Sequence, residues 1–176
     1  MRLFGIARFT AVAAAVVLAF APAALAAMAP TSAGDTPEPL MRKIMASYRD
    51  SAKGSSAAIG QNYFDPALTK LDRDNGRLFD GVDVLDGDPV CQCQDVGGTY
   101  KWTGHSEGRD RWVAVVSRSD MKTPWQVIWK RIGNRWGIYD VIDETGSIRG
   151  LLERHNRCAR EKLAHHQKTD ACAELK

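Results

Sequence analysis

Four cysteines and a scatter of acids and histidines are the residues here whose types and spacing could do chemistry. Cys91-x-Cys93 and His155-x-x-Cys158 offer two thiolates plus an i, i+3 His/Cys pair, a spacing physically able to hold a metal. In an oxidising compartment an even cysteine count favours disulfides instead. Disulfides at Cys91, Cys93, Cys158 and Cys172 are therefore the stronger reading. Cys91 and Cys93 share a face of an extended segment, and a bond between them closes a very small ring. On one continuous helix Cys158 and Cys172 would stand ~21 Å apart, at 1.5 Å rise per residue. A disulfide spans roughly 7 Å, so they can pair only if the chain reverses near His165 to Asp170. The economical expectation is two bridges from the Cys91/Cys93 segment to the C-terminal segment, fastening the tail across the sheet. Each would contribute ~4 kcal/mol in the chain-entropy model. Which cysteine pairs with which stays open.

The acids are less specific. Asp80, Asp83, Asp86 and Asp88 suggest calcium, but they lack the EF-hand order of oxygen ligands, Gly and closing Glu. A solvated, turn-rich loop accounts for them better. His105, near Glu107 and Asp110, has no nucleophile beside it and reads as part of a hairpin loop. Asp140 and Asp143 close the last long strand, where a carboxylate in an apolar cavity could act as general base. Asp143 reads better as a turn residue ahead of a Ser147 helix cap. No G-x-S-x-G, H-E-x-x-H or phosphate loop occurs. No catalytic residue is assigned, and no metal or cofactor is implied.

The aromatic strands offer binding rather than catalysis. Trp125, Val127 and Trp129 alternate onto one face, with Ile128 and Ile132 on the other. By the same alternation Trp136, Ile138 and Ile142 oppose Tyr139 and Val141. Both faces are partly apolar and need cover. One would pack on helices; the other would line a cavity, be covered by a second copy in a homodimer, or meet a partner. Trp125, Trp129 and Tyr139 are the candidate binding residues. The competing reading makes all five Trp residues ordinary core and rim.

Several elements must position these groups. Thr36-Pro37-Glu38 reads as a helix start, followed by an apolar stripe of Leu40, Ile44 and Tyr48 with Met41 and Met45 beside them. Ser51 to Gly60 reads as a loop or frayed helix end. Asp65-Pro66 opens a second helix, with Leu68 and Leu71 buried and Asn75-Gly76 as its stop. Residues 80 to 95 should be irregular. Runs at 111 to 118, 125 to 132 and 135 to 142 are β-rich. The last two are joined by a Gly133-Asn134 hairpin turn, and a short strand near Thr99 to Thr103 pairs ahead of them. Ser147 caps a helix through Ile148, Leu151, Leu152 and His155 that reaches at least Cys158. The pattern predicts an α+β domain: N-terminal helices, an antiparallel sheet, then a C-terminal helix.

Residues 1 to 26 have the layout of a cleavable signal peptide. Arg2 and Arg8 precede an apolar run from Phe9 to Phe20, and Ala24-Leu25-Ala26 presents the peptidase site, so the cut is expected before Ala27. The run is too short and interrupted for a membrane anchor, and no cysteine at the cut site suggests a lipoprotein. Residues 27 to 37 form a flexible lead-in, 38 to 160 a single domain and 161 to 176 a tethered tail. Without Arg2 and Arg8, 22 basic residues face 21 acidic ones, a net charge of about +1. No basic stretch interleaved with aromatics supports nucleic-acid binding.

A set of short motifs resembles the bacterial domain-of-unknown-function family 3828. They are Tyr63-Phe64-Asp65-Pro66-Ala67-Leu68, Asp88-Pro89, Cys93-Gln94-Asp95, and Val127-Ile128-Trp129-Lys130-Arg131. Arg135 through Val141 and Gly146 through Leu152 complete them, the likeness covering roughly residues 38 to 155. It implies an envelope protein with a nuclear-transport-factor-2-like cone, a curved antiparallel sheet wrapped around helices, and no known activity. Cys91 and the tail after Cys158 depart from the family's usual pattern. The expected function is an exported, non-catalytic module that binds an envelope protein or a small apolar ligand, an immunity or inhibitor protein being one form. The alternative is a small cone-fold enzyme using Asp140 or Asp143 as general base. The expected location is periplasmic or secreted.

Overall fold

The computed structural model describes residues 36–51, 59–81, 84–85, 87–94, 99–172 and 175. All fall within the unit Thr31–Lys176. The signal segment, its cut before Ala27 and most of the lead-in lie outside the described residues, as do Asp83, Asp86, Asp95 and most of the 51 to 60 loop.

Helix α1 spans Glu38–Ser51. Glu38 at its start faces the helix dipole favourably and pairs with Arg42 one turn on. Met41, Ile44, Met45 and Tyr48 form its buried stripe, while Leu40 is half-buried. A short 3₁₀ turn, Gly60–Tyr63, leads to helix α2, Pro66–Leu78. Asp65 caps α2, its Oδ1 accepting from the Leu68 N–H at 2.6 Å. The expected stop at Asn75-Gly76 does not occur. Asn75 is buried; its Nδ2 donates to Asn156 Oδ1 at 2.9 Å, and Asn156 Nδ2 donates to the Leu71 carbonyl. With its amide engaged by Asn156, Asn75 sits inside the helix, and α2 continues to Leu78 before its C-cap Phe79 and a left-handed Asp80.

The strands are β1 Tyr100–Ser106, β2 Arg111–Arg118, β3 Trp125–Ile132, β4 Arg135–Asp143 and the short β5 Gly146–Ser147. They pair antiparallel in chain order as an open five-stranded sheet. Of the β3–β4 turn residues only Gly133 takes positive φ, at 62°. That is the II′ pattern, whose twist matches the flanking strands. His105 lies on β1, opposite Val113, rather than in the loop.

Trp112, Ala114, Val116, Trp125, Val127 and Trp129 face one side of the sheet, in a core with the α1 stripe, Leu68, Ile148 and Leu152. The alternation expected along β4 breaks. Ile128 pairs with Asp140 but Trp129 pairs with Ile138, leaving Tyr139 as an extra residue in a β-bulge. Ile138 and Val141 therefore both reach the core instead of opposing one another. On the opposite face Val113 and Ile128 are also buried.

Helix α3, Ile148–Ala164, follows, with Ser147 Oγ accepting from the Gly150 N–H. It runs past the boundary placed at residue 160 and packs against α2 and β4. Arg160 pairs with Asp74 across the helices. Among the described residues the architecture is α+β: three α-helices and an antiparallel sheet. No described helix is long and apolar enough to cross a membrane.

Candidate functional site

The cysteines correct the sequence reading. Cys91 bonds Cys93, with Cα atoms 5.2 Å apart, and Cys158 bonds Cys172, at 5.8 Å. No bridge joins the two segments. The reversal needed for the second bond is a Schellman motif. Gln167 N–H donates to Lys162 O and His166 N–H to Leu163 O, with His166 at φ 56°. A 3₁₀ turn, Asp170–Cys172, then brings Cys172 back against Ala159 and Phe79. The tail is thus fastened to the α2–α3 pair, not across the sheet. The metal alternative loses its donors, because all four thiols are consumed.

The aromatic surface expected at Trp125, Trp129 and Tyr139 is also corrected. Trp125 is 1% exposed and Trp129 fully buried, so both are core. Trp125 Nε1 donates to the Val90 carbonyl, and Trp129 packs edge-on against Tyr63. The half-buried Tyr139 ring lies under two cations: Lys130 Nζ at 3.5 Å and the Arg149 guanidinium at 4.0 Å from its centroid.

Arg149 belongs to a network that joins three elements. Its Nη2 donates to Asp65 Oδ1 and Oδ2, both at 3.0 Å, and its Nε to the Tyr139 carbonyl at 2.7 Å. Asp140 accepts from Ser147 Oγ at 2.6 Å and from the Arg149 N–H at 3.0 Å. Asp140 therefore anchors the start of α3. Asp143 Oδ1 accepts from Thr145 N, Thr145 Oγ1 and Gly146 N, the turn role expected of it.

Asp88 is not a solvated loop acid. It is buried, and its carboxylate accepts from Tyr48 Oη (2.8 Å), Gly60 N (2.6 Å) and Val90 N (2.9 Å). A side chain at Gly60 would strike Val90 and the Tyr48 hydroxyl, so only glycine lets the chain pass there. Burial, and then the Asp88 charge, push the Tyr48 hydroxyl far above its ordinary range, so it stays a neutral donor. Asp80 is exposed.

A cavity of about 470 Å³ remains beside α3. Val84, Ile148, Leu151 and Leu175 give it apolar walls, Thr145 and Ser147 contribute hydroxyls, and Arg154 and His155 complete the lining. His155 is 1% exposed, its Nε2 2.6 Å from the Leu175 carbonyl. A carbonyl only accepts, so Nε2 carries the proton, while the buried Nδ1 has no partner. A shallower groove adjoins the cavity, bordered by Gln92, Cys93, Asp143 and Leu151. Sequence reasoning placed His155 on α3 but passed over Arg154 and Leu175. A positive residue three positions from the apolar Leu151 on one helix was the one available signal.

Compared with known proteins, the chain matches no family model, and no curated protein matches it.

Proposed function

We propose that this protein is an exported, non-catalytic binding module that holds a small apolar ligand in the cavity beside α3. The cavity carries this reading: its volume falls within the range of small-molecule sites, and its walls are largely apolar with a few polar groups. The alternative of a carboxylate general base has less support, because Asp140 and Asp143 are both engaged by donors of their own chain. Two disulfides suit a periplasmic or secreted setting. The order of helices followed by an antiparallel meander supports a nuclear-transport-factor-2-like arrangement, while the likeness to family 3828 rests on the sequence motifs alone.

The test uses protein recovered from the envelope fraction, with its N-terminus expected at Ala27. A neutral probe whose emission rises in apolar surroundings, N-phenylnaphthylamine, should be taken up by the wild type. A folded Leu151→Trp variant, which fills the cavity, should lose that uptake. No uptake by the wild type, or equal uptake by the variant, would overturn the reading.

A further inference from the structure

We infer that the ligand of this cavity is an amphipathic monocarboxylate whose head group is met by Arg154; the inference rests on the binding reading above. Five arginines of the described residues are only partly exposed: Arg111, Arg118, Arg131, Arg149 and Arg154. Arg149 has Asp65, Arg118 has Asp120, Arg111 has Glu107, and Arg131 is engaged as well. Arg154 has no carboxylate partner among the described residues, and its Nε is buried without an acceptor. A cation partly withdrawn from water without a counter-charge is penalised, and an anion arriving in the cavity lowers that penalty.

The surroundings fit the same chemistry. Arg154 is the one formally charged side chain among the described residues lining the cavity. Its guanidinium folds back along α3: a side-chain carbon at Gly150 would sit 3.3 Å from Nη1. That places the charge near the first turn of α3, beside Ser147, where the helix dipole also favours an anion. Asp143 borders the adjoining groove, but its Oδ1 is taken up by Thr145 and Gly146. Val84, Ile148, Leu151 and Leu175 then provide walls for a hydrocarbon body. Head and body thus meet different chemistry within one cavity, which a neutral hydrocarbon would use only in part.

Titration calorimetry with decanoate and decanol tests this on the unreduced wild-type protein. Decanoate should bind about tenfold or more tightly than decanol, the gain of a charge-assisted contact. Arg154→Gln should remove that preference and leave decanol affinity unchanged. Equal affinities in the wild type, or a preference that survives in Arg154→Gln, would overturn the inference while leaving the cavity a binding site. Failure of both compounds to bind, with N-phenylnaphthylamine also excluded, would overturn the binding reading itself. The wild-type ratio needs no variant, so the test stands even if Arg154→Gln does not fold.

Discussion

Asp65 and Arg149 are 84 positions apart in the chain, and Arg149 Nη2 lies 3.0 Å from each oxygen of the Asp65 carboxylate. The side chains are 3% and 12% exposed, so neither charge has ready access to water. The contact ties the start of α2 to the start of α3, with β4 between them.

Breaking one side of such a pair strands the other charge. Arg149→Ala should lower unfolding free energy by about 3–5 kcal/mol, a large part of a small domain's total. Asp65→Asn keeps a capping oxygen but loses the charge. The double variant should be more stable than the two single losses predict, by about 0.5–3 kcal/mol. Urea unfolding of the four proteins checks this, and additive losses would show that the two residues act separately.

Tyr48 leads to an expectation at alkaline pH. Its folded-state proton affinity is raised, by burial first and by Asp88 second, above the ordinary value near 10. Tyr100, whose ring centroid is 5.7 Å away, is raised too, chiefly by burial. In the unfolded chain both lose their protons near pH 10, while in the folded chain Tyr48 retains its proton and Tyr100 holds its own more tightly than a free tyrosine does. The stability they contribute is therefore complete below about pH 10 and declines as pH rises beyond it. Near-ultraviolet titration should show one of the four tyrosines, Tyr48, ionising only as the protein unfolds. Ionisation of all four near pH 10 in folded protein would contradict the buried Tyr48–Asp88 contact.

How much of this was legible in the sequence depended on distance along the chain. The strands announced themselves through runs of Val, Ile and Trp, and Gly133-Asn134 marked their turn. The Tyr139 bulge did not show, because alternation assumes a fixed period of two and nothing local signals the extra residue. Asn75 looked like a helix end because its partner, Asn156, is 81 positions away. The Schellman reversal was hidden for another reason: His166, not glycine, occupies its left-handed position. The cavity was least visible. Val84, Ser147, Arg154 and Leu175 become neighbours only after α3 has packed and the tail has turned back.

The cysteine pattern is directly measurable. Non-reducing peptide mapping of protein from the envelope should yield a Cys158–Cys172 peptide and a separate peptide holding both Cys91 and Cys93. Replacing Cys158 and Cys172 together by Ser should cost about 3 kcal/mol, given the short loop they close. Peptides linking Cys91 or Cys93 to Cys158 or Cys172 would reinstate the cross-sheet bridges.

The bulge at Tyr139 has a bearing on how this chain can vary in length. Most strands are intolerant of single-residue insertions and deletions, because one step turns every side chain beyond it to the wrong side. Strand β4 carries one residue that no partner on β3 matches. Losing that residue would leave Ile138 opposite Trp129 and Asp140 opposite Ile128, so inward and outward positions would keep their sides. What would go is the ring beneath Lys130 and Arg149. The hairpin thus contains a point where a related chain can be one residue shorter and still fold the same way.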